Sequence, residues 1–156
     1  MEQILDTVRA FDGVLELAPT EGSGYPEPAW GDHFFFYAPD GEVPQRVQPY
    51  ATVVTKDSPG DTLSDLDPPD RRRLNIHVGR TTVTALTGHA PGGRTPPARD
   101  FRTTDTLHPH PVYGAQGWVA VVNPGPRTTP TVLALLREAH ENARRRATRR
   151  SAPGAG

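Results

Sequence analysis

A chain of 156 residues with a formal net charge of −1 is long enough for one buried core and too balanced in charge for a disordered polyelectrolyte. It has no cysteine, which excludes disulfides, thiolate metal sites and a thiol nucleophile, and its 18 prolines and 15 glycines imply long irregular connections. No apolar run approaches the ~18 residues of a membrane span, and residues 1–11 are charged and amphipathic rather than signal-like, so a cytoplasmic protein is expected.

Of the 17 basic side chains only Lys56 is a lysine, and Ala, Pro and Gly abound, a bias expected of a high-GC bacterial genome. Ile4, Leu5, Val8 and Phe11 fall on one face of a short helix that Asp12-Gly13 ends. Val14, Leu15 and Leu17 suggest a short strand, followed by a Gly/Pro/Glu-rich loop over 19–28 and a second strand over 32–37. A third strand covers 51–56. Residues 57–70 form an acidic, proline-rich connection, and Asp57, Asp61, Asp65, Asp67 and Asp70 are expected to be solvated, since prolines sit where a calcium loop needs to bend. Residues 73–78 alternate cleanly, with Leu74, Ile76 and Val78 on one face and Arg73, Asn75 and His77 on the other.

Residues 81–87 are ambiguous: Thr81 or Thr82 can cap a short helix closed by Gly88, yet β-branched residues disfavour one. Residues 88–117 read as a long proline-rich loop, of a length uncommon inside a domain unless functional. A strand over 118–122 stops at Asn123-Pro124-Gly125. The closing helix spans 130–146, with Thr129 as cap, Pro130 in the first position and Val132, Leu135, Leu136, Ala139 and Ala143 as its apolar face. Its Arg144, Arg145, Arg146, Arg149 and Arg150 point in nearly every direction and complement the helix dipole. Residues 1–150 are thus one α+β domain, an antiparallel sheet with the N- and C-terminal helices packed on one face, followed by a disordered tail over 151–156.

Three segments, AWGDHFFFYAPDG, QPYATVVTKDSPGDTLSDLDPPDRRRLNIHVGR and LHPHPVYGAQGWVAVVNPG with the helix after it, resemble an uncharacterised family of small single-domain proteins from high-GC bacteria. The likeness covers nearly the whole chain and brings no activity with it. A looser likeness, carried by LNIHVGRTTVTAL and by His110 and Trp118, is to the YjbR-like double-wing proteins. It implies a related fold, and a DNA-binding role that fold alone does not establish.

The candidate chemistry centres on HPHPVYGAQGW. Prolines on both sides stiffen the chain around His110, and Tyr113 and Trp118 follow, as an acid–base site beside an aromatic wall would require. His110 and Tyr113 are the candidate catalytic residues. The polar faces of the strands add His33, Lys56, Asn75 and His77, which with Trp118 are the candidate ligand-binding residues. Among the six histidines, His108-Pro109-His110 reads as polyproline-like, which splays its two rings, and no spacing suits a chelate; neither a metal nor a cofactor is expected.

The resulting expectation is a small-molecule-binding protein or cofactor-independent enzyme, with specialised metabolism as one setting, using a pocket between the sheet and the 88–117 loop. The alternative is a non-catalytic module for interaction or self-association, with a YjbR-like DNA-binding protein behind it. A small-molecule ligand or a second copy is therefore the expected partner, and membrane or nucleic acid is not: the pI near 6.6 lacks the electrostatic footprint of a nucleic-acid binder.

Overall fold

A computed structural model describes residues 1–88 and 99–151 of the chain. Its elements run α1 (Glu2–Arg9), β1 (Val14–Leu17), β2 (His33–Tyr37), β3 (Ala51–Val54), β4 (Arg73–His77), α2 (Arg80–Thr87), β5 (His108–Pro109), β6 (Trp118–Val122) and α3 (Thr129–Ser151). The strands form one sheet in the order β1-β2-β3-β4-β6-β5, with every neighbouring pair antiparallel. Alternation decides the faces. Leu74 and Ile76 stand opposite Val121 and Val119 and share a core with Phe35, Ala51 and Val53. Ile4, Leu5 and Val8 of α1 and Val132, Leu135, Leu136 and Ala139 of α3 close over that face. The α+β expectation, with both terminal helices on one side, holds.

Leu136 is fully buried in this layer. Leu136→Ala should cost about 2–5 kcal/mol in urea melts, and a loss below ~0.5 kcal/mol would contradict the packing.

Several local expectations need correction. Thr129 does not cap α3: its hydroxyl donates back to the Gly125 carbonyl at 2.7 Å. Asp105 instead fixes the turn that leads into α3: its carboxylate accepts the N–H groups of Gly125, Arg127 and Thr128 at 2.9–3.0 Å and the Thr128 hydroxyl at 2.6 Å. Burial pushes the Asp105 carboxyl up, but these donors outweigh it and bring it down to about 2. β3 ends at Val54 rather than at 56, because the Thr55 N–H turns to Asp32 Oδ1 at 3.0 Å. The ambiguous segment is a helix, α2, entered from Gly79 without a side-chain cap and closed by left-handed Gly88. Residues 108–109 are an edge strand against β6, not polyproline. α3 runs on through Ser151, while residues 89–98 of the long loop, His89 among them, and residues 152–156 of the expected tail lie outside the described residues. No helix among the described residues is long and apolar enough to cross a membrane.

Candidate functional site

The sheet face away from the helices carries Thr52, Val54, Arg73, Asn75, His77 and Trp118 by the same alternation. Arg73 is only 2% exposed, so its charge must be met from nearby. Its two terminal nitrogens donate to Asp61 Oδ1 and Oδ2 at 2.9 and 2.6 Å, a bidentate pair, and Nη1 also donates to Ser64 Oγ at 3.0 Å. Nε donates to Asn75 Oδ1 at 2.8 Å, and Asn75 Nδ2 passes the network on to Thr52 Oγ1 at 3.0 Å. Burial pushes the Asp61 carboxyl up, but the Arg73 guanidinium overrides it and holds it below its ordinary value.

His110 meets this network from the loop between β5 and β6. Its N–H donates to the Trp118 carbonyl at 2.9 Å and its carbonyl accepts the Gly114 N–H at 3.0 Å, which curls residues 110–114 into a turn. That turn aims the Val112 and Tyr113 N–H groups at His110 Nδ1, each 3.0 Å away. Gly117 completes the loop at φ 95°, where a Cβ would come within 2.9 Å of Gly79 Cα, so only glycine lets the loop pass this close to the end of β4.

The two amide donors make Nδ1 the lone-pair nitrogen, so the neutral ring carries its proton on Nε2. Nε2 faces Arg73 Nη2, itself a donor, at 3.1 Å; the nearest carboxylate oxygen, Asp61 Oδ2, is 3.9 Å off, beyond hydrogen-bond range. Among the described residues, both ring nitrogens of His110 face donors and neither meets an acceptor within hydrogen-bond range. Burial and then the Arg73 charge push its pKa down to about 4, against a smaller opposing pull from Asp61. At neutral pH the ring is uncharged and offers one N–H.

The floor so formed lies under an open cleft of about 450 Å³, a volume within the usual range for small-molecule sites. Asn75, His110, Tyr113 and Trp118 all line it, with Pro49, Thr52 and Val54 on the walls and Gln48 and Gln116 at its margin. Tyr113 is 53% exposed, with its ring centroid 5.0 Å from that of His110, which makes it a rim residue. The DUF6194 family model, described as a family of unknown function, matches residues 1–152. The chain belongs to this family. No curated protein and no solved structure matches it.

Three of the expected ligand-binding residues lie outside the cleft of this DUF6194 member. His77 stands beyond Trp118, 5.4 Å between ring centroids, with Nε2 3.2 Å from the Gln116 carbonyl oxygen. His33 shares a strand face with Phe35, on the helix side, where its Nδ1 lies 2.8 Å from Glu16 Oε2 beside Arg9. Lys56 Nζ donates to the Trp30 and Pro28 carbonyls at 2.6 and 3.1 Å and pins that loop, which leaves no free amine for a Schiff base. His140 is structural, bridging the Tyr50 hydroxyl and the Asp12 carbonyl. No three His or carboxylate side chains among the described residues are placed to hold a metal ion.

Sequence reasoning missed Arg73 and Asp61, the centre of the floor. The acidic connection reads as solvated because five aspartates in a proline-rich stretch look alike; only the fold separates Asp61 from the rest. A partial signal was present in Arg73 itself, an arginine that strand alternation sets on one face with Asn75 and His77.

Proposed function

We propose that this protein binds a small organic molecule in the cleft, with an acceptor oxygen of the ligand taken up by His110 Nε2–H beside the Arg73 guanidinium. What supports this is one observation: among the described residues, both ring nitrogens of buried His110, at the floor of an open, partly apolar cleft, face N–H donors, so its ring N–H has no acceptor opposite it. A carbonyl or carboxylate oxygen satisfies that donor; an apolar ligand does not. His110 then acts as a positioning donor, since a pKa near 4 leaves it a poor proton carrier at neutral pH. Asn75 holds Arg73, Trp118 gives the ligand an aromatic wall, and Tyr113 borders its entrance. Composition points to a high-GC bacterium and to the cytoplasm as the setting.

The test is a fragment screen by protein NMR on the wild type and on Val54→Phe, which fills the cleft without touching the polar floor. Oxygen-bearing fragments should shift the His110 and Trp118 resonances of the wild type and lose most of their affinity in the variant. Fragments that bind both proteins equally, or none that perturbs His110, would overturn the proposal. Val54→Phe altering the oligomeric state instead would favour a self-association face.

A further inference from the structure

A second pocket, of about 240 Å³, opens at the end of the sheet where α3 overhangs it. Arg46, Arg146, Arg150 and His77 line it together with Trp118 and Gln48, and among the described residues no carboxylate does. Among the described residues, none of the three guanidinium groups has a hydrogen-bond or ion-pair partner. Their neighbours on α3 differ: Arg144 pairs with Glu141 at 2.8 Å, and Arg145 donates to Asn142. Arg146 and Arg150 are one helical turn apart, on the face that also brings Ala143 to the pocket, and like charges at that spacing repel. Arg46 reaches the same pocket from the connection between β2 and β3 with φ at 60°, a left-handed conformation uncommon outside glycine. Burial and then the Arg146 charge lower the His77 pKa, as a field of uncompensated positive charge requires.

We propose that this pocket binds the phosphate group of a phosphorylated small molecule. A phosphate dianion offers several acceptor oxygens to converging guanidinium groups, which grip such groups in bidentate fashion. The space suits a phosphoryl group and a few more atoms, and falls short of the ~300 Å³ at which whole-ligand pockets begin. It also continues into the cleft: Gln48, Pro49 and Trp118 line both. The ligand therefore sets its phosphate among the arginines and its uncharged body along Trp118 toward His110. That last placement rests on the function proposed for the cleft; the phosphate site does not.

The experiment titrates ¹⁵N-labelled protein with inorganic phosphate at constant ionic strength and follows the Trp118 indole and the His77 ring. Saturable shifts are expected in the wild type. Replacing Arg146 and Arg150 together by glutamine should weaken binding about tenfold or more, as loss of charge-assisted hydrogen bonds does, with the circular dichroism spectrum unchanged. Val54→Phe should leave phosphate affinity as it was, because Val54 does not line this pocket. Shifts that never saturate, equal affinity in the double variant, or acetate binding as tightly as phosphate would each overturn the proposal. Phosphate binding with no ligand in the cleft removes only the function proposed above. Cleft ligands without phosphate binding remove only this site.

Discussion

Asp61→Asn should destabilise the protein by about 3–5 kcal/mol, the cost of breaking a buried ion pair from one side. The size follows from where the charges sit. Arg73 is 2% exposed on the open sheet face, and Asp61 accepts from both of its terminal nitrogens. An amide in place of the carboxylate removes the counter-ion and turns one acceptor into a donor facing the guanidinium. Ser64 and Asn75 remain as neutral acceptors and cannot balance the charge. Arg73→Met combined with Asp61→Leu should recover most of the loss, since well-packed apolar side chains replace a buried pair at little or no cost. Recovery stays incomplete because Asn75 Oδ1 loses its donor. Urea melts of the three variants decide the matter. A loss under ~1 kcal/mol for Asp61→Asn would mean that water reaches the pair and that the floor of the cleft is not dry.

The difference between what sequence and structure reveal here is one of range. Residues 73–77 and 118–122 display their strand alternation and apolar run within five positions, and α3 displays its apolar face through repeated helical spacing. The polar face of β4 was legible for the same reason; the turn at His110 was not, since its bonds run from the Gly114 N–H to the His110 carbonyl and from the His110 N–H to Trp118. What could not be read is every contact that joins distant positions by side chain alone. Asp105 fixes the turn before α3 from twenty residues before Gly125, where no local pattern marks it. Asp61 reaches Arg73 across the acidic connection, and Arg46 comes to line the same pocket as Arg146 and Arg150 from far along the chain. His33 and Lys56 mislead in the opposite direction. Each lies in or beside a strand of the sheet, but Glu16 on the helix side claims one and the carbonyls of the 28–30 loop claim the other.

His110 should make the protein lose stability as pH falls from about 6.5 toward 4, and His110→Gln should remove that part of the loss. In the unfolded chain the ring titrates near its ordinary value of 6.5, whereas in the folded protein burial and Arg73 bring it to about 4. Between those values the unfolded state takes up a proton that the folded state refuses, so its free energy falls relative to the native one. The contribution is fully present above 6.5 and fully lost below about 4. Comparing melts at about pH 7.5 and about pH 4.5, the wild type should lose about 2–3 kcal/mol more than the variant. Asp61 and Asp105 do not confuse the comparison, since both titrate at or below the lower edge of this window. His77 and His108 are also depressed and add slope, but they add it to both proteins. Geometry supplies the mechanism. Protonating Nδ1 requires it to stop accepting from the Val112 and Tyr113 N–H groups, so the turn over residues 110–114 must open before the ring can charge. Equal pH slopes in the two proteins would place His110 in water and would remove the unsatisfied N–H on which ligand recognition in the cleft depends.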